Sequence, residues 1–155
     1  MKKIAILYET YQPIIDSLKS LGYNTDCYTS LDFNPDDYDL IISTDYKNEI
    51  PFRVLTSHLS LLPAFADKEP VKNAVLSGVK VTGVTVYYTN PEKFLAQYPV
   101  FIYNDAHYDE IYQELTYLEQ ALLTAVASKI LKNEPFESKT LLTGKHCGRC
   151  SGCSK

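Results

Sequence analysis

Two stretches of this 155-residue chain carry side chains whose type and spacing can do chemistry. One closes the chain: His146-Cys147-Gly148-Arg149-Cys150-Ser151-Gly152-Cys153. Cys147, Cys150 and Cys153 stand at Cys-x-x-Cys spacing, which lets a glycine-bearing loop turn several thiolates toward one ion. Lys145, Arg149 and Lys155 favour the thiolate form that a metal requires. Structural zinc wants four ligands; His146, the distant Cys27 or a residue of another chain would be the fourth. The spacing also fits the opening of an iron–sulfur run, whose last cysteine is absent. A reduced tail without an ion is the plain alternative. The other stretch is Thr56-Ser57-His58-Leu59-Ser60-Leu61-Leu62-Pro63. Imidazole exchanges a proton near neutral pH, so His58 can hold, give or take one at a reacting centre. Taken by itself, such a ring is more often a buried histidine bonded to backbone.

What must position these residues is read from hydrophobic periodicity. Lys3 to Tyr8 is a buried-strand pattern, and Pro13 opens a helix with Ile14, Ile15, Leu18 and Leu21 on one face. Gly22 follows as the helix stop. Tyr23 to Thr29 and Leu40 to Ile42 read as further strands, separated by the Asn34-Pro35-Asp36-Asp37 turn. Val54 to Ser57 is a fourth strand, and a short helix runs from Pro70 to its stop at Gly78. Val79 to Thr89 and Leu95 to Ile102, the latter broken by Pro99, suggest an antiparallel pair. Asp109 to Asn133 is the longest helix, with Ile111, Leu115, Leu118, Leu122 and Val126 as its core stripe. Tyr108, Tyr112 and Tyr117 on that helix are expected to supply core with a polar tip. His107 is expected at its entry or facing solvent.

This order predicts an α/β fold: an open, mostly parallel sheet with an antiparallel C-terminal strand pair. Ligands of such sheets bind beyond the carboxyl ends of the strands. Glu9-Thr10, Thr44-Asp45 and the residues after Leu55 should therefore line one crevice. The expected division is a domain over 1–137 and a cysteine-rich tail over 138–155. Nineteen acidic against fifteen basic residues give a net charge of −4, which argues against a nucleic-acid partner. No apolar run is long enough for a bilayer and no secretion signal precedes the first strand, so a cytoplasmic location without membrane partners is expected. The four cysteines are then reduced or metal-bound. Asp45, closing the third strand, sits where a phosphoacceptor would, but such chemistry wants an acid cluster after the first strand, and only Glu9 is there.

The segment Thr56 to Phe65, followed by Thr82-Gly83-Val84-Thr85-Val86, Ala96-Gln97 and the long last helix, resembles the folate-dependent formyltransferases. Within them it looks most like the phosphoribosylglycinamide formyltransferases of purine synthesis. The resemblance runs from about Val54 through Leu131 and implies the formyltransferase fold. It also implies a reaction: an amine attacks the formyl carbon of 10-formyltetrahydrofolate, and fixed donors hold the oxyanion that forms. By that resemblance His58 matches the family's catalytic histidine. Thr56 stands where the family has an asparagine donor, offering a hydroxyl of shorter reach. The family's Asp-x-Gly-Pro loop is missing, since Tyr88 to Lys93 passes directly to Phe94; Glu92 is the nearby carboxylate that could take the aspartate's role. The glycine-rich phosphate turn is replaced by Tyr8 to Pro13, where Glu9 would repel a phosphate. The implied function is formyl transfer from 10-formyltetrahydrofolate to a small, phosphate-free amine. The extra C-terminal domain of the transfer-RNA-formylating relatives is not expected, which weighs against a transfer-RNA substrate. The alternative is a catalytically degenerate binding protein on the same fold, with a tail that binds zinc. Oligomeric state is not legible.

Overall fold

The computed structural model describes residues 1–8, 10–44 and 50–136. Its strands are β1 (Lys3–Leu7), β2 (Asn24–Tyr28), β3 (Leu40–Ile42), β4 (Val54–His58), β5 (Val81–Thr89) and β6 (Lys93–Phe101). The helices are α1 (Gln12–Ser20), α2 (Pro70–Leu76) and α3 (Tyr108–Leu131). The strands form one sheet in the order β2-β1-β3-β4-β5-β6. β1 pairs in parallel with β2 and β3, and β3 with β4. β4–β5 and β5–β6 are antiparallel, which is the strand pair the sequence suggested.

The two faces of the sheet are covered differently. Ile4, Ile6, Leu55 and Val86 pack against α1 and the second half of α3, through Leu18, Leu123 and Val126 among others. Val84 and Val100 meet α2 and the first half of α3. On the other face Ala5, Leu7, Ile41 and Val54 lie under an aromatic layer supplied by loops. There the Tyr28 and Phe33 rings stack at 4.5 Å, with Phe52 edge-on to Phe33 at 5.7 Å. Such pairs add to area burial because ring edges and faces carry opposite partial charge. Both expected helix stops hold: Gly22 and Gly78 have φ of +86° and +69°.

Three expectations change. Pro99 does not break β6; it sits within the strand opposite Gly83. The strand tolerates it because β6 is an edge, where a missing N–H leaves no ladder partner unpaired. The buried line of α3 is Ile111, Leu115, Glu119, Leu123 and Val126, with Leu118 and Leu122 only partly buried. The stripe winds around the helix as it passes from α2's side of the sheet to α1's, and so takes in a carboxylate. Off that line, Tyr108, Tyr112 and Tyr117 are exposed, Tyr117 by 70%. They are surface residues, and the first two stack on each other. His107 is exposed at the entry to α3, where its side chain makes no capping bond.

Candidate functional site

His58 ends β4, and the chain then turns over the sheet through Leu59 to Phe65. The ring is part-buried, with Nε2 2.8 Å from the Phe65 carbonyl oxygen. A carbonyl only accepts, so Nε2 carries the proton and Nδ1 is the acceptor of the neutral ring. Ser60 Oγ donates to the Ala64 carbonyl at 2.6 Å and approaches that of Phe65 at 3.3 Å. Phe65 itself has φ +51°, a region costly for an L side chain, so the loop is held there by its surroundings.

What holds it is the set of residues that made the sequence distinctive. Thr85 Oγ1 donates to the Ser60 carbonyl at 2.7 Å and accepts from Leu62 N and Gln97 Nε2, each at 3.0 Å. Gln97 Nε2 also lies 2.9 Å from the Leu62 carbonyl. Leu61 presses onto Gly83, where a Cβ would fall 2.2 Å from the Tyr98 carbonyl and 2.5 Å from a Leu61 methyl. Glycine is there because the loop and β6 both come too close for any side chain.

On β4, side chains alternate between faces, so Thr56 and His58 share the face opposite the helices. Thr56 is fully buried, and its hydroxyl has no hydrogen-bond partner among the described residues. Beside it, directly after β3, lies Ser43, one step beyond the Ile42–Leu55 pair and bonded through its N–H to the Leu55 carbonyl at 3.1 Å. Ser43 is also fully buried, with an unpartnered hydroxyl. Nothing in the sequence pattern marked it.

Ser57 faces the helices and donates to Glu119 Oε1 at 2.5 Å. Burial raises the Glu119 carboxyl above its usual range, and the Ser57 bond draws it partly back. This carboxyl is behind the sheet from His58, and no periodicity argument could have found it, because it occupies an apolar position of α3. Glu92 does not take the aspartate's role. Thr85 pairs with His58 and Thr89 with Val54, so the turn at Asn90 to Glu92 leaves β5 at the other end of β4. At about 3.4 Å per residue that separates it from His58 by roughly 14 Å along the strand. Glu92 is exposed there, while Asn90 Nδ2 bonds the Ile50 and Phe52 carbonyls.

At the neighbouring strand end, Tyr8 adopts φ +57° directly after β1. Thr10 Oγ1 donates to the Leu7 carbonyl at 2.8 Å, and Tyr11 N approaches Thr44 Oγ1 at 3.4 Å. The turn after β1 thus meets Thr44 through Tyr11, at the carboxyl ends of β1 and β3. Glu9, Asp45, His146, Cys147, Cys150 and Cys153 lie outside the described residues. Cys27 is exposed on β2, at the far edge of the sheet. Among the described residues no group of three His, Cys, Asp or Glu is arranged to hold a metal ion. No helix among them is long and apolar enough to cross a membrane.

Residues 36–127 match the family described as Formyl transferase. Over 116 residues the chain is 29% identical to a formyltetrahydrofolate deformylase of Haemophilus influenzae, covering 68% of this chain and 40% of the relative. It is 31% identical over 94 residues to a phosphoribosylglycinamide formyltransferase of Mycobacterium tuberculosis, covering 58% and 44%. The chain thus spans about two-fifths of the length of these curated relatives. Among solved structures, the phosphoribosylglycinamide formyltransferase of Streptococcus pneumoniae TIGR4 superposes with a TM-score of 0.66 at 18% identity, over 84% of this chain and 99% of that one. The formyltransferase PseJ of Anoxybacillus kamchatkensis, solved with UDP-4,6-dideoxy-4-formamido-L-AltNAc and tetrahydrofolate, gives 0.71 at 22% identity, over 89% and 82%. The chain belongs to the formyl transferase family.

Proposed function

We propose that the protein transfers a formyl group from 10-formyltetrahydrofolate to a small amine without a phosphate, with His58 as its reacting side chain. The observation that carries this is the anchoring of His58. Its Nε2–H is committed to the Phe65 carbonyl, on a loop held by Thr85, Ser60 and Gln97. That leaves Nδ1 as a base of fixed orientation. The amine nitrogen bonds to the formyl carbon, and the carbonyl electron pair moves onto oxygen. Nδ1 takes the proton that the amine sheds, and the imidazolium so formed donates toward the oxyanion. When the oxyanion collapses, the bond from carbon to N10 breaks and His58 returns the proton to N10. The products are the formamide and tetrahydrofolate.

The choice of a phosphate-free amine rests on the turn after β1. Tyr8, Thr10 and Tyr11 bond within the protein there, and the sequence has an acidic residue, Glu9, where a phosphate-binding turn has glycine. PseJ, similar in fold, was solved with tetrahydrofolate and a UDP-linked formamido sugar, which supports formyl transfer to an amine and not the lack of a phosphate. The test is a transfer assay with a formyl-labelled donor over a panel of amines. The proposal predicts labelled formamide, and a turnover lower by about a hundredfold or more in His58→Ala.

A second reading, a ligand-binding protein that has lost the chemistry, is favoured by one observation: Thr56, at the family's asparagine position, is closed to solvent. Folate binding without transfer to any amine would establish it. For the tail we propose that Cys147, Cys150, Cys153 and His146 hold zinc, on the strength of their spacing. A cytoplasmic location accords with reduced cysteines.

A further inference from the structure

Ser60 is closed to solvent, at 0% exposure, and its hydroxyl is used entirely inside its own loop. It donates to the Ala64 carbonyl at 2.6 Å and approaches that of Phe65 at 3.3 Å. The Phe65 carbonyl is also the one on which His58 Nε2 rests, at 2.8 Å. Phe65 has φ +51°, a region an L side chain keeps only when its surroundings hold it there. Its ring packs with Leu59 against the cluster of Val71, Ala74 and Val84. Ser60 thus holds the peptide that enters residue 65, and the packed ring holds its side chain. Little freedom is left to the carbonyl that leaves it. Among the described residues no carboxylate bonds to His58: Glu92 lies toward the other end of β4, and Glu119 is bonded to Ser57 behind the sheet.

We propose that Ser60 is a positioning residue for His58. With the packed Phe65 ring it keeps the Phe65 carbonyl as the fixed acceptor of Nε2–H, the post for which the family resemblance implies a carboxylate. This rests on the formyl-transfer reading and names what orients its base. A carbonyl accepts the same bond as a carboxylate but takes no proton, so a proton gained at Nδ1 has no relay behind it and returns to the reacting centre. The bond strengthens when the ring is charged, which steadies the imidazolium without adding a negative group to the site. Without the Ser60 hydroxyl the Ala64 carbonyl loses its donor and the peptide can turn. The Phe65 carbonyl then leaves the ring, and the imidazole rotates about its side-chain bonds.

The experiment follows the His58 ring N–H by proton–nitrogen NMR of the full chain without substrate, assigned by its loss in His58→Ala. Wild type should show a slowly exchanging Nε2–H with Nδ1 unprotonated, and its absence would overturn the proposal. Ser60→Ala should lose that resonance to exchange with water. Its kcat for formyl transfer should fall about ten- to a hundredfold with KM unchanged, because Ser60 touches no substrate. Phe65→Ala frees the same carbonyl from its other side and should act alike, which keeps the test open if Ser60→Ala does not fold. Asn90→Ala, which strips the Ile50 and Phe52 carbonyls of their donor toward the other end of β4, is the structural comparison. It should keep both the ring resonance and kcat. A wild-type resonance and kcat in Ser60→Ala, or the same losses in Asn90→Ala, would overturn the positioning role and leave the transfer reading standing. If Ser60 governs the resonance and the wild type formylates no amine, it is the transfer reading that falls.

Discussion

At the scale of single residues, the sheet separates two ionisable groups, His58 and Glu119. His58 stands on one face; one residue back, Ser57 reaches through to Glu119 on the other. The two have different consequences. Glu119 binds its proton more tightly folded than unfolded, because burial disfavours the carboxylate. Its penalty is therefore absent at pH below the ordinary carboxyl range. The penalty grows as pH rises from that range through the raised folded value, and is constant above it. Glu119→Gln should flatten the decline of stability with pH across that window, measured by urea denaturation from about pH 4 to pH 8. Curves that stay parallel in variant and wild type would show that Glu119 does not titrate there. Asp39 has the opposite sign. The Lys3 N–H at 2.8 Å and the Lys2 ammonium lower its pKa, so its contribution is present above the ordinary carboxyl value and disappears as pH falls. Of these residues, the sequence pointed to His58 alone. Glu119 was hidden because hydrophobic periodicity treats a charged residue as a surface one, and Ser43 because a strand-ending serine is ordinary.

At the scale of elements, the loop from Leu59 to Phe65 depends on two strands that come later in the chain. Gly83→Ala would place a methyl group against the Tyr98 carbonyl and Leu61, which overpacks a fixed backbone contact. The expected loss is about 1–3 kcal/mol of unfolding free energy by chemical denaturation, toward the upper end because the nearest atom is backbone. Thr85→Val keeps the volume but strips Ser60 O, Leu62 N and Gln97 Nε2 of their shared partner. A similar loss of about 1–3 kcal/mol is expected, together with a loosened His58. A neutral result in either variant would mean that the loop is held by something else. Strand and helix existence was legible from apolar runs, Pro13, Gly22 and Gly78. Register was not, and register is what removed Glu92: the turn at Asn90 looked close to His58 only in one dimension. Pro99 misled for a related reason, since a proline breaks a central strand and not an edge.

At the scale of the whole molecule, the helices cover one face of the sheet, and aromatic side chains cover the other over β1, β3 and the start of β4. The proposed division predicts that a chain ending at residue 137 keeps its melting temperature within about 2 °C, because the tail adds charge and cysteine rather than apolar core. A larger drop would place the tail within the fold. Metal analysis of the full chain purified without chelators should find about one equivalent of zinc, lost in the short chain. Less than about half an equivalent would favour a tail without an ion. Architecture was readable because the Thr56–Pro63 and Thr82–Val86 segments carry their own geometric demands. Substrate was not, because it is set by loops in which this chain departs from its relatives. The most direct test of the account follows a ¹³C-formyl label from 10-formyltetrahydrofolate by NMR, with phosphate-free amines and with phosphoribosylglycinamide, in wild type and His58→Ala. The account predicts labelled formamide from a phosphate-free amine with wild type and a rate lower by about a hundredfold or more in the variant. Label that never leaves the folate, or a rate indifferent to His58, would contradict it.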